Sequence, residues 1–347
     1  MIHISGWRTR CLLVSLLLAL GSLPAAAFAA RVADLYAASV PAGEATPAAE
    51  RAAFAAALGQ VLVKVTGRQA AGQPEVVAGL GDPSALVQQF RRDAAGQLWA
   101  LFDAAGVRRG LEQAGLPVWG EERPLTLICL LVDTGAGVPE LVSAGPAGGL
   151  ADALRRQLLD TAAARAVPAM LPAGDMQDRG LAEAASGVVD MELFRLVAER
   201  YPADALLVGQ ARVFAADAAQ VDWTLLAGNR REAWSGGLAD GPAGLAERLA
   251  AQLAASSGGR EQVVLEVAGV ESFAQYGALL AYLNGLDLVE SLAVTRARDD
   301  AMQFELQLRA GRERFRQALA LGHLLEGPLG DAQAGPLHYR LVSRPGH

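Results

Sequence analysis

The stretch Leu125-Thr126-Leu127-Ile128-Cys129-Leu130-Leu131-Val132 is apolar at every position but one. A strand with a single buried face alternates apolar and polar side chains. An unbroken run predicts a strand covered on both faces. A helical pattern follows over 150–164, then a short strand near Val167 to Leu171. Asp190 to Tyr201 is amphipathic and predicts another helix. Ala205 to Val213 and Val221 to Leu226 predict two further central strands, with Ala233 to Leu238 at an edge. Gly241-Pro242 opens a last helix bearing Leu245, Leu249 and Leu253. Helices alternating with apolar strands predict an α/β layer over 121–260.

Two α+β modules flank it. Over 30–120, Val32 to Val40 predicts a strand. Thr46 caps a helix with Pro47 at its first position and Glu50 near its positive end. Phe54, Leu58, Val61, Leu62 and Val65 recur at helical spacing, and Gly67 closes the helix. Asp82-Pro83 predicts a short helix through Phe90. Gln97 to Asp103 predicts a strand, and Val107 and Leu111 mark a helix ending at Gly115. Over 261–347 the order is strand (Val263 to Val267), helix (Ser272 to Asn284), and strands Leu288 to Arg296 and Met302 to Arg309. A helix (Arg312 to Leu321) and a strand (Leu337 to Val342) complete it. That β-α-β-β-α-β order is the ferredoxin-like plan. Gly120 to Pro124 and Ser256 to Arg260 are the expected linkers.

The first 29 residues predict a secretory signal peptide. Arg8 and Arg10 precede the apolar run Leu12 to Leu20, Pro24 breaks it, and Ala27-Phe28-Ala29 offers a cleavage site after Ala29. The run is short for a membrane span, and no later segment reaches about 18 unbroken apolar residues. Cys11 lies before the run, so it is no lipid acceptor. Removing 29 of 347 residues, two of them arginine, leaves 318 residues and a net charge of −9 in place of −7. The expected compartment is the bacterial periplasm.

Composition excludes several classes of function. An apolar fraction of 52% with a modest net charge excludes disorder. Thirty basic residues against 37 acidic ones argue against a nucleic-acid binder. Two cysteines exclude a disulfide-dense scaffold.

Four stretches carry a resemblance. They are Val61-Leu62-Val63-Lys64-Val65-Thr66-Gly67, Gly115-Leu116-Pro117-Val118-Trp119-Gly120, Ala203-Asp204-Ala205-Leu206-Leu207-Val208-Gly209 and Tyr282-Leu283-Asn284-Gly285-Leu286. In that order they resemble the proteobacterial exported family catalogued as domain of unknown function 2066. That resemblance implies a compartment and an architecture but no reaction. The middle module, with Trp223-Thr224-Leu225-Leu226, is similar to the amino-terminal domain of TolB. It also resembles related domains of envelope lipoproteins. Those domains act by binding other envelope proteins, so the likeness implies a partner.

Catalytic signals are sparse. Leu130-Leu131-Val132-Asp133-Thr134-Gly135-Ala136 resembles the active-site loop of aspartic proteases. Such a site needs two carboxylates sharing a proton, and no second Asp-Thr-Gly exists in the chain. A buried strand running into a polar glycine turn accounts for the same residues. Gly135-Ala136-Gly137 follows a strand as a dinucleotide loop would, but Pro139 and Glu140 spoil the pattern. His323, His338 and His347 are widely spaced, so no metal is expected. Cys129 lies mid-strand and predicts an inert core thiol.

Arg296, Arg298, Arg309, Arg312, Arg314 and Arg316 cluster in sequence. RNA recognition would need exposed aromatic residues beside them, and only Phe304 is near, so a solvated mixed surface is the expected role. Trp119 is expected to pack between modules rather than anchor a partner. The resulting expectation is a non-enzymatic interaction or accessory module of the cell envelope. It would bind an envelope protein, with no cofactor, metal or nucleic acid and no membrane span after leader cleavage. The alternatives are a periplasmic hydrolase built on Asp133 and a small-ligand sensor.

Overall fold

A computed structural model of the chain describes residues 30–342 apart from 45, 134, 136–138, 147, 185–190, 216–217, 229, 255–260, 287, 299–300, 323 and 330–334. The expected signal peptide, most of the Gly135 to Gly137 loop, the linker Ser256 to Arg260, His323 and His347 lie outside the described residues. The protein is 41% helix and 33% strand with mixed sheets, an α+β arrangement.

The chain opens with two short strands, β1 (Ala30–Arg31) and β2 (Ala37–Pro41). The expected single strand over 32–40 is interrupted by a turn. Asp34 takes a positive φ of 56° and its carbonyl accepts from the Ala37 N–H at 3.0 Å. Helix α1 (Pro47–Thr66) follows. The Thr46 side chain accepts from the Ala49 N–H, and Gly67 ends the helix at φ 69°. The β-branched run Val61 to Val65 is helical because Phe54, Leu58, Val61, Leu62 and Val65 face one core. Helix α2 (Pro74–Gly79) was not foreseen.

After Asp82 only a 3-10 turn forms, at Pro83–Leu86. Val87–Arg92 is then strand β3, not a helix. Its backbone pairs with β4 (Gln97–Phe102), and β4 lies between β2 and β3. Pairing outweighs the helical start signal because the β4 edge offers ladder partners. Asp103 caps helix α3 (Ala104–Gln113) through the N–H groups of Ala105 and Gly106.

The segment expected as a linker holds β5 (Glu122–Arg123), which pairs with β1. The diagnostic apolar run is β6 (Thr126–Asp133). Strand β7 (Glu140–Val142), helix α4 (Gly149–Ala164), strand β8 (Ala169–Met170) and helices α5 (Met176–Ala184) and α6 (Met191–Ala198) come next. Strands β9 (Ala205–Ala215), β10 (Ala218–Ala227) and β11 (Arg230–Gly236), then helix α7 (Asp240–Leu253), complete the layer. The sheet runs β11-β10-β9-β6-β7, with β8 also on β6. β6 and β9 are parallel.

Ile128, Leu130 and Val132 join a core with α4 and α7, while Leu127, Cys129 and Leu131 face Phe194 and Val197 of α6. The run is apolar throughout because both faces are covered. Trp223 of β10 lies between two glycines of this layer. A Cβ at Gly209 would fall 2.5 Å from its ring, and one at Gly241 would fall 2.4 Å from it.

The last sheet contains β12 (Glu261–Ala268), β13 (Val289–Arg298), β14 (Ala301–Leu308), β15 (Leu325–Glu326) and β16 (Leu337–Leu341). Helix α8 (Phe273–Gly285) leads from β12 towards β13, and α9 (Arg312–Leu321) leads from β14 to β15. The order is β13-β14-β12-β16-β15. This departs from the plain ferredoxin-like plan. β15 is an additional strand, and β16 turns back between it and β12, running parallel to β12. Val263, Leu265 and Val267 alternate inward, as one covered face requires.

Candidate functional site

Three parts of the chain meet around β5. Arg123 is fully buried there. Its Nε donates to the Gly120 carbonyl at 2.7 Å and its Nη1 to Ala166 at 2.8 Å. Nη2 donates to the carbonyls of Lys64 and Trp119, each at 2.7 Å. The guanidinium also stacks 3.9 Å from the Trp119 ring centroid. A planar fork of five donors suits such a crowd of carbonyls. Arg165 makes a second bolt. It donates to the Gly67 carbonyl at 2.8 Å and the Gln69 side chain at 2.6 Å. Burial lowers the Arg165 pKa, partly offset by Glu247 at 3.6 Å. Lys64 donates to the Ala37 carbonyl at 2.9 Å, and burial lowers its pKa too.

Beside this clamp lies a small cleft, partly open to solvent, with a volume of about 50 Å³. Trp119 and Pro124 form one wall, and Leu253 at the end of α7 forms another. Tyr282 of α8, Leu288, and Ala318 and Leu321 of α9 close the remaining side. The walls are mostly apolar. Trp119, Leu288, Ala318 and Leu321 belong to the same packed core as the middle sheet.

Polar groups in the cleft are few. Asp204 and Glu122 contribute carboxylates. Asp204 sits just before β9, and its Oδ2 accepts from the Leu125 N–H at 2.7 Å. Two donors stand out. Trp119 is 2% exposed and Tyr282 7%, yet neither the Trp119 indole Nε1 nor the Tyr282 hydroxyl has a hydrogen-bond partner. Burial raises the Tyr282 pKa, and the Asp204 carboxylate raises it further. The hydroxyl therefore stays protonated and remains a donor. Gly322 lies against it, since a Cβ there would fall 2.2 Å from the Tyr282 oxygen.

The residues singled out in the sequence are scattered. Asp133 ends β6 at an exposed position, where its Oδ1 accepts from the Gly135 N–H at 2.7 Å. It closes its own turn. Cys129 is buried, and burial pushes its thiol pKa up. His338 lies 3.7 Å from Glu266 at a half-exposed site. Among the described residues, no group of His, Cys, Asp and Glu is placed to hold a metal ion.

The arginine cluster is divided. Arg312 faces Glu261 at 3.6 Å, Arg314 donates to the Ala254 carbonyl at 3.0 Å, and Arg316 pairs with Glu313 at 2.9 Å. Arg296 and Arg298 lie exposed on β13. Trp119 packs between modules as expected, with its ring in the core. Its unpartnered indole N–H was not foreseen. Arg123, Arg165, Asp204 and Tyr282 were also missed as a group. Arg123 lies in the charged stretch Glu121-Glu122-Arg123, which reads as solvated, and no local pattern marks an arginine whose partners are distant carbonyls.

Residues 29–120 match a family model described as Domain of unknown function (DUF8605). This corrects the resemblance to domain of unknown function 2066, because the matching model is a different one. No curated protein and no solved structure matches the chain. The likeness of the middle module to the TolB amino-terminal domain therefore has no support. Among the described residues, no helix is long and apolar enough to cross a membrane.

Proposed function

We propose that this protein is a non-enzymatic accessory module of the bacterial cell envelope that works by binding, with the junction cleft as its binding site. One observation carries the reading. A mostly apolar cleft is lined by two residues whose buried donors have no partner. Native interiors rarely leave such groups unpaired, and each costs about 1–3 kcal/mol when it is. A bound molecule that supplies acceptors removes that cost.

Asp204, a carboxylate of the cleft, is engaged with a backbone N–H, which suits holding a loop better than proton transfer. The envelope assignment rests on the leader pattern over 1–29.

Two experiments test the proposal. Octan-1-ol fills an apolar wall without demanding a particular head group. It is expected to bind the purified protein one to one by calorimetry, and Ala318→Phe, which fills the cleft, is expected to abolish binding while far-UV dichroism is retained. Equal binding to both proteins would count against the cleft. A fusion of residues 1–29 to a phosphatase active only outside the cytoplasm is expected to be active. An inactive fusion would remove the envelope assignment.

A further inference from the structure

The carboxy-terminal module leaves one side of its core open. Its sheet ends at β13, ten residues long, and among the described residues no strand lies beyond that edge. After Val289 every residue of β13 is exposed except the half-buried Leu292. Helix α8 packs beside it and carries no charged side chain in 13 residues. A helix that is uncharged on every side is normally covered on every side. Here Phe273 is 93% exposed, and Ala274, Gly277 and Ala281 are exposed too. Leu292 and Val294 stand opposite Leu306 and Phe304 of the core, so both point to its helix side. Yet Val294 is 40% exposed, and Leu292, Tyr276 and Leu280 are only partly covered at the margin of that core. An open strand edge offers a hydrogen-bonding ladder, and the apolar margin beside it offers burial. Together they fit an added strand.

Charges on an edge strand normally discourage pairing. On β13 the signs are segregated, with Glu290 near its start and Arg296 and Arg298 at its end. A parallel copy of β13 would set like charges together, and an antiparallel copy sets opposite charges together. The register with β14 shifts at Glu290 and at Thr295, which leaves Ser291 to Val294 as the regular stretch. Antiparallel pairing centred on Ala293 places Leu292 opposite Val294 of the second copy, and Glu290 near Arg296 of the second copy.

We infer that a second copy of this chain docks at this edge, β13 against β13, about a two-fold axis normal to the sheet. That symmetry joins two five-stranded sheets into one and keeps both α8 helices on the same face. The two open core margins then cover each other.

Sedimentation equilibrium of the purified full chain at pH 7 is expected to fit a reversible dimer with a dissociation constant below about 100 μM. Arg296→Glu and Glu290→Arg each turn two attractions between the copies into repulsions. Each is expected to weaken the dimer at least about tenfold. Both positions are exposed, so far-UV dichroism should be retained. An equimolar mixture of the two variants restores opposite signs at both sites and is expected to dimerise within about threefold of the unaltered chain. Should either variant fail to fold, Val294→Asp sets a charge opposite Leu292 of the second copy and is expected to abolish the dimer.

A chain that stays monomeric at about 100 μM would overturn the inference. So would a dimer indifferent to these substitutions, or a mixture of the two charge variants that stays monomeric. Flotation of a monomeric chain with neutral phosphatidylcholine vesicles would assign the α8 margin to a lipid surface and overturn it as well.

Discussion

Arg123 is the residue on which the junction depends most. Its guanidinium answers carbonyls from α1, from the loop at Trp119 and from the turn after α4. Arg123→Met leaves those carbonyls buried and unpaired, and is expected to lower unfolding stability by about 3–5 kcal/mol in urea titrations. Arg123→Lys is expected to recover little, because a compact ammonium has three donors and cannot stack flat on Trp119. A loss below about 1 kcal/mol for either variant would show that the clamp is not structural. Gly67 is constrained twice. Its φ is 69°, and a Cβ would fall 2.3 Å from that of Ala250. Gly67→Ala is expected to cost about 2–4 kcal/mol from strain and overpacking. The C-terminal glycine of α1 was legible from its place after an apolar helix. Its contact with α7 was not, because Ala250 lies 183 positions after Gly67 in the chain.

At the scale of elements, burial on two faces made β6 readable, and the capping oxygen of Thr46 made α1 readable. Thr46→Ala is expected to cost about 1 kcal/mol, measured by thermal unfolding. The failures share a cause. β3 is a strand because β4 pairs with it, and β15 and β16 take their order from each other and from β12. Pairing partners lie outside any local window.

Helices α5 and α6 are joined by a latch that local pattern also hides. Arg200, just beyond α6, pairs with Asp175 and with the buried Asp178, and the Tyr201 hydroxyl donates to Asp178 at 2.6 Å. Burial and the Asp178 carboxylate push Tyr201 up to about 12. The Arg200 hydrogen bond holds Asp175 below its ordinary 3.8. A depressed carboxyl pKa stabilises the fold above the unfolded value, and that contribution is lost as pH falls through the folded value. Amide exchange over 173–178 is therefore expected to quicken as pH drops below about 3.8 after correction for intrinsic rates. In Asp175→Asn the part of that change due to Asp175 should vanish. Exchange with the same corrected pH dependence in both proteins would remove Asp175 from the latch.

For the whole molecule, the governing fact is that its separate cores are tied together at the junction. Leu288, Ala318 and Leu321 pack with β6 and β9 residues in one cluster, and Arg123 and Arg165 tie α1 to the same region. Fluorescence and far-UV dichroism are therefore expected to report one coincident urea transition rather than separate ones. The α+β class was legible from alternating periodicities. The cleft was not, since its walls come from positions as far apart as Trp119 and Gly322 and each reads alone as ordinary core.

The central claim is that the unpartnered donors of this cleft meet a ligand. It is tested most directly by the indole N–H resonance of Trp119, assigned by its absence in Trp119→Phe, during titration with octan-1-ol. The account predicts a saturable downfield shift of that resonance, with those of Trp7, Trp99, Trp223 and Trp234 nearly unmoved. An unmoved Trp119 resonance at saturating octan-1-ol, or equal shifts of all five, would contradict it.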